Sequence, residues 1–188
     1  MANLVHMVAP ARRVPPCADT GDRRYTPVNG GARFLLRLRE AAIGPAAEAL
    51  GIDLAVPLNR ASVVNSRGAM RLSPDEWLLL WPETEAASVA PLLAARLTDR
   101  RYSLTDISHR QTGLMLNGAA VPDILNSGCA LDFDLAAFPV GMVTRTNFFK
   151  AEAVLWRQDE FSFYLEVWRS FVPYVWSLLS IVGREYPE

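Results

Sequence analysis

The chain has 188 residues, enough for one substantial core or two small fused ones, and a single domain of that size removes about 70% of its unfolded surface from water on folding. Its 51% hydrophobic and 10% aromatic content leaves apolar area that could serve an interface. Lys plus Arg total 19 against 20 for Asp plus Glu, so no net field draws in nucleic acid or an anionic membrane, and neither is expected as a partner.

Lys150 is the only lysine. An arginine-dominated surface suits polar interfaces, because the guanidinium tolerates partial burial and pairs bidentately with carboxylates; a GC-rich genome gives the same bias. Cys17, Cys129, His6 and His109 are scattered over the whole chain, which makes neither a zinc site nor a disulfide framework. A reducing compartment is the simplest reading. The opening "MANLVHMVAPARR" places its cations after the apolar stretch, the wrong order for a signal peptide. The longest aromatic and aliphatic run, "FVPYVWSLLSIV" at 171–182, falls short of the roughly 20 residues that span a bilayer. A soluble, cytoplasmic protein is expected.

Residues 1–31 carry Pro10, Pro15, Pro16, Pro27, Gly30 and Gly31 with no apolar period, and read as an extended N-terminal arm outside the core. The remaining residues, 32–188, read as a single domain with halves at about 32–99 and 100–188. "RFLLRLREAAIGPAAEALGIDL" predicts a strand at 33–38 and an Ala-rich helix at 41–50 stopped by Gly51. "AMRLSPDEWLLLWPETEAASVAPLLAARL" predicts strand, tight turn, strand, then a helix at 84–97 with Val89, Leu92, Leu93 and Leu97 on one face. "RRYSLTDISHRQ" at 100–111 reads as a strand crossing from the first half into the second.

The plan then repeats. "TGLMLNGAAVPDILNSGCALDF" gives a strand at 112–116, a helix at 119–126 and Gly128 as its stop. "AVLWRQDEFSFYLEVWRSFVPYVWSLLSIV" gives strands at 151–157 and 161–167 and a helix at 170–182, with Asp159-Glu160-Phe161 lying over Asp75-Glu76-Trp77. Strand, helix, hairpin, helix, twice over, describes an α+β fold of two duplicated split-βαβ, ferredoxin-like halves about a pseudo-twofold axis.

That repetition decides how Asp75 and Glu76 are read. Adjacent carboxylates before Trp77 have the look of an acid pair, but an acid pair has no reason to recur at the same point of a duplication, whereas a hairpin turn does. Ser73-Pro74-Asp75-Glu76 places Pro where a type I turn wants it, and the acids keep the tip in water. Asp106, Ser108 and His109 in "DISHR" carry acid–base and nucleophile chemistry. A triad gathers distant segments, however, and no GxSxG is present, so a turn closed by Asp or Ser beside an exposed His is expected. "NGGAR" at 29–33 lacks the strand before and the GK after that make a phosphate loop. Arg145, between hydroxyls in "GMVTRTNFF", either binds a carboxylate on a ligand or partner or is a plain surface arginine. In "VWRSFVPYVW", Trp168, Phe171, Val172 and Val175 fall near one helical face, the pattern of core or interface. Arg110, Arg145 and Arg169, with Trp168 and Phe171, are the candidate interface residues.

The segments "LSPDEWLLL", "DISHRQ", "NSGCALD", "FPVGMVTRT" and "VWRSFVPYVW", in this order and spacing, resemble the sarcosine oxidase gamma subunit family over about residues 33–182. The resemblance implies a non-catalytic subunit of a heterotetrameric, folate-linked enzyme, assembled with alpha, beta and delta chains and in direct contact with alpha. That enzyme oxidises the N-methyl group of sarcosine to give glycine, hydrogen peroxide and a one-carbon unit for tetrahydrofolate. The resemblance also implies that FAD, FMN, NAD, tetrahydrofolate and zinc belong elsewhere in the complex, so this chain is expected to supply no catalytic, cofactor-binding or metal residue. The family is similar in fold to the folate-binding aminomethyltransferase domain, and "DISHR" resembles that superfamily's Asp-Val-Ser-His segment. The alternatives are a free-standing folate-binding or aminomethyltransferase-like protein, without the Lys-Gly-Cys-Tyr-x-Gly motif of the iron-sulfur repair branch, and a scaffold for another amine dehydrogenase.

Overall fold

The computed structural model describes residues 18–20, 23–28 and 30–186. His6 and Cys17, and the prolines at 10, 15 and 16, lie outside the described residues. In chain order the elements are β1 (Ala18–Thr20), β2 (Arg23–Val28), β3 (Ala32–Leu38), α1 (Glu40–Leu50), β4 (Ala61–Val64), β5 (Arg67–Ser73), β6 (Glu76–Trp81) and α2 (Ala86–Arg96). There follow β7 (Tyr102–Asp106), β8 (Gln111–Asn117), α3 (Val121–Asn126), β9 (Val143–Phe148), β10 (Ala151–Asp159), β11 (Ser162–Trp168) and α4 (Val172–Gly183). The chain divides into two compact units, residues 30–108 and residues 18–28 with 109–186.

The first unit is a five-stranded antiparallel sheet in the order β4-β5-β6-β3-β7. Helices α1 and α2 share one core with it: Ala42, Ile43, Ala46 and Leu50, and Val89 and Leu93, cluster with Phe34, Leu36, Trp77, Leu79 and Trp81. The buried stripe of α2 advances in steps of four, Val89, Leu93 and Leu97, so Leu92 turns outward and is exposed, contrary to the sequence expectation. In α1, Pro45 has no N–H for the carbonyl of Ala41 four residues back. The Arg100 guanidinium donates to that carbonyl instead. Gly51 ends the helix at φ 64°, its N–H donating to Ala47 O at 2.9 Å.

The second unit is a six-stranded antiparallel sheet in the order β1-β2-β8-β11-β10-β9. Its core joins α3 and α4 (Val121, Ile124, Leu125, Val175, Trp176, Leu179) to Leu114, Leu116, Leu155, Phe163 and Leu165. Tyr25, from the segment read as an arm, is buried in that core with its ring edge-on to Trp176. The segment hides its strand because "RRYTPV" alternates over only six residues and contains a proline, which the register places opposite Leu114.

Two further expectations change. The 100–111 segment is not one crossing strand: β7 pairs with β3 and stays in the first unit, and the break falls between Ser108 and His109 rather than at 99. Gly128 does not stop α3 through a left-handed backbone. It is required by space, since a Cβ there would meet the Phe148 and Phe149 rings at 2.6 Å.

One side-chain arrangement occurs in both units. Arg71 on β5 donates to Val56 O in the loop after α1 and to Pro74 O in the β5–β6 turn, with its guanidinium 5.2 Å from the Trp77 ring. Arg157 on β10 donates to Phe133 O and Phe138 O in the loop after α3 and to Glu160 O in the β10–β11 turn, 4.9 Å from the Phe163 ring. Arg71 lies opposite Trp77, and Arg157 opposite Phe163, each beside a register shift. The structural counterpart of Trp77 is therefore Phe163. The sequence overlay on Phe161 was two residues off, and Phe161 is an exposed turn residue.

Candidate interaction surface

Ser73 and Glu76 face each other across a two-residue turn, Pro74-Asp75, so the acidic pair belongs to a hairpin as expected. Asp75 is exposed and accepts from Ser73 Oγ at 2.9 Å. Glu76 departs from the expectation: instead of keeping the tip in water it is buried, with its carboxylate accepting from Arg37 Nη2 on β3. Strand pairing explains this, because Glu76 is the first paired residue of β6 and lies opposite Arg37. The roles are unequal. Arg37 is more than half exposed, whereas the Glu76 side chain is nearly sealed. Arg37→Ala, which leaves a buried carboxylate short of its guanidinium, is expected to cost about 1–3 kcal/mol. Asp75→Asn is expected to change stability by no more than about 0.5 kcal/mol. Urea denaturation of the two variants checks the contrast.

Asp106 Oδ1 accepts from Ser108 N at 2.8 Å and from Ser108 Oγ at 2.6 Å, while Ser108 Oγ accepts from Arg33 N at 2.9 Å. These bonds close a turn, and His109 is exposed. The Ser108 hydroxyl gives its proton to the Asp106 carboxylate and its oxygen to the Arg33 N–H, so both sides of the group are used within the turn. Among the described residues no group of three His, Cys, Asp or Glu is arranged to hold a metal. Burial pushes the Cys129 thiol up to about 12, far from a thiolate at neutral pH.

Four of the five candidate interface residues come together. β8 begins where β11 ends, with Gln111 opposite Trp168, and Arg169 N donates to Arg110 O at 2.9 Å. That pairing sets the Arg110 guanidinium 4.8 Å from the Trp168 ring centroid, a cation–π contact. The chain then turns through Arg169–Phe171 into α4, where the Phe171 ring meets Tyr174 edge-on at 6.3 Å. Trp168, Phe171 and Tyr174 are each 37–40% exposed, although large aromatic rings are usually covered. The result is a set of exposed aromatic rings with Arg110 on Trp168 and Arg169 next to it in the chain, residue types that interface centres favour.

Trp168 and Phe171 are not on one helical face with Val172 and Val175. They precede the helix and point outward, while Val172 and Val175 point into the core. Arg145 does not join these residues; it lies on the edge strand β9, opposite Val154. Tyr174 was missed by the sequence reading. Its spacing of three from Phe171, with buried Val172 and Val175 beside them, was the available signal.

A family model for "Sarcosine oxidase, gamma subunit family" matches residues 39–185, which spans both units. The chain belongs to the sarcosine oxidase gamma subunit family. Curated relatives agree: the chain is 33% identical over 120 residues to the sarcosine oxidase subunit gamma of Corynebacterium sp. (strain P-1), and 31% over 120 residues to that of Arthrobacter sp.. Each match covers 63% of this chain and 58% of the relative, so the chain spans a little over half of the curated relatives' length. Among solved structures, heterotetrameric sarcosine oxidase from Corynebacterium sp. U-96, in complex with pyrrole 2-carboxylate, contains a chain of the same fold. Its TM-score is 0.81 at 23% identity, covering 90% of this chain and 88% of that one. The glycine cleavage system aminomethyltransferase T from Bartonella henselae shares the fold more distantly, with a TM-score of 0.61 at 13% identity over 82% of this chain and 44% of that one. The gamma family fold is thus a mixed α+β fold of two antiparallel sheets. No helix among the described residues is long and apolar enough to cross a membrane.

Proposed function

We propose that this chain is the non-catalytic gamma subunit of a heterotetrameric sarcosine oxidase. It supports assembly with the alpha subunit, beside beta and delta, for the oxidative demethylation of sarcosine to glycine, peroxide and a folate-linked one-carbon unit. Family membership over residues 39–185 carries the proposal. The exposed Trp168, Phe171 and Tyr174, with Arg110 against Trp168, supply a surface of the kind a subunit needs, and Ser108 and Cys129, held in a turn and in the core, are not set up as nucleophiles. In this reading FAD, FMN, NAD, tetrahydrofolate and zinc are held by the other chains and the complex works in the cytoplasm.

Within this reading the two units are duplicated split-βαβ, ferredoxin-like halves, the second of which takes in β1 and β2 from the segment before residue 30. Two observations support the duplication: the matching strand orders around β3 and β8, and the matching bonds of Arg71 and Arg157.

Co-expression of the four chains followed by size-exclusion chromatography and a peroxide assay with sarcosine tests the proposal. The wild-type chain is expected to elute with the complex and, purified alone, to be colourless and inactive. Arg169→Glu is expected to weaken association by about 2–3 kcal/mol while leaving the circular dichroism of the isolated chain unchanged. A complex that assembles and turns over sarcosine normally without this chain would return the free-standing aminomethyltransferase-like reading, which the aminomethyltransferase T fold favours.

A further inference from the structure

The Arg157 guanidinium draws two separate stretches of the second unit to one point. It donates to Phe133 O at 2.9 Å and Phe138 O at 2.7 Å in the loop after α3, and to Glu160 O at 2.7 Å in the β10–β11 turn. These bonds gather three large apolar side chains that stand within two residues of the bonded carbonyls. Leu135, Val140 and Phe161 are each 41–49% exposed, an unusual concentration of uncovered apolar groups. The rings of Phe133, Phe138 and Phe163 pack together in the core and fix the loop from within. Asp132, Asp134, Asp159 and Glu160 stand beside the three, all of them exposed. Asp132 Oδ1 accepts from Asp134 N at 2.9 Å, Asp134 Oδ1 from Ala136 N at 2.8 Å and Asp159 Oδ1 from Glu160 N at 2.8 Å, so three of the carboxylates are held in place. Among the described residues none of the four is in an ion pair.

The charge here has one sign. Residues 111–144 and 151–168, which supply the loop, the turn and their strands, contain no Lys and a single Arg, the sealed Arg157. One buried cation does not neutralise four exposed carboxylates. By register Arg24 of β2 stands opposite Asn117, three strand spacings or about 14 Å from Asp159, farther than the Debye length of about 8 Å at physiological salt. In the first unit the corresponding Arg71 takes one carbonyl, Val56 O, from a shorter loop, and residues 54–60 of that loop carry no carboxylate.

We propose that this end of the second unit docks a basic, amphipathic segment of a partner chain, its apolar residues over Leu135, Val140 and Phe161 and its Arg or Lys side chains on the four carboxylates. An apolar centre with a charged rim is the layout of a protein interface, and a rim of one sign admits the opposite sign and rejects its own. The same rim repels an acidic segment, a nucleic acid or an anionic membrane. Because Arg157 and the aspartate turns fix the surface in advance, little ordering is needed when the partner arrives. The inference rests on the subunit reading. It adds a contact at the other end of β11 from Trp168, about 20 Å away along the strand.

The test uses the co-expressed complex, with Glu160 and Phe161 varied because both are exposed turn residues. E160R and F161S are each expected to lower retention of this chain at least about tenfold at about 0.15 M salt, with E160Q losing less than E160R and the circular dichroism of all three unchanged. A photo-crosslinking residue at position 140 of the wild-type chain is expected to capture a partner segment with Arg or Lys beside the crosslinked residue. Capture of a segment without a cation there, or of a second copy of this chain, overturns the proposal. So does wild-type retention of both E160R and F161S while R169E still weakens assembly, and in that case the subunit reading stands. If the wild-type chain never enters a complex, the subunit reading fails and the docking proposal falls with it.

Discussion

Replacing Arg157 with alanine is expected to lower the unfolding free energy by about 3–5 kcal/mol, the loss associated with breaking a buried charged network. Its side chain is sealed from solvent and makes three kinds of contact: it fixes the Phe133 and Phe138 carbonyls, holds the Glu160 turn and lies over Phe163. Burial lowers the affinity of this guanidinium for its proton, and the charges of Glu160 and Asp134 oppose that effect. The expected loss therefore comes from carbonyls left without donors and from a loop released from the core. Lysine, with one compact ammonium, cannot reach all of these acceptors, so Arg157→Lys should recover less than half. Urea unfolding followed by circular dichroism decides it; a loss below about 1 kcal/mol for Arg157→Ala would refute the account.

Gly113→Ala is the second large effect expected. Gly113 lies in β8, between β11 and β2, and an added Cβ would meet the Tyr164 ring and hydroxyl at 2.4–2.5 Å. Tyr164 has little freedom to move away, because it is buried and its hydroxyl donates to the buried Glu166. Overpacking of this kind costs about 1–3 kcal/mol. The diagnostic is non-additivity: in a Tyr164→Leu background the same glycine substitution should cost well under about 1 kcal/mol, since the ring that it strikes is gone. An additive double mutant would show that the strain lies in the β8 backbone instead.

The parts of this fold written in local sequence were legible, and the parts written in strand register were not. Pro74 and Asp75 declare their turn, and Gly51 declares the end of α1, because each acts within a few residues. The burial of Glu76 depends on Arg37 from a strand distant in sequence, which no local pattern reveals. The overlay of the two hairpins failed for the same reason: matching the letters Asp-Glu-aromatic put Trp77 on Phe161, whereas the pairing of Arg71 and Arg157 puts it on Phe163. Trp168 and Phe171 were legible as neighbouring aromatics, but the contact of Trp168 with Arg110 required the pairing of β8 with β11. The buried Nη1 of Arg60 and Nε of Arg71, which have no hydrogen-bond partner, could not be anticipated at all, since composition reports a charge but not its surroundings.

The pairing of β2 with β8 has a consequence for biosynthesis. β2 leaves the ribosome before residues 30–108, yet the strand it must join is made only after the whole of them. At bacterial elongation rates this is a wait on the order of ten seconds. Meanwhile residues 30–108 hold all the strands of their own sheet and can fold on schedule. Tyr25 and Val28 therefore spend that interval without their final neighbours, a period in which a chaperone or an early-arriving partner can compete for the nascent strand. The order in which the chain is made thus separates β2 from the strand it joins by the whole of the first unit.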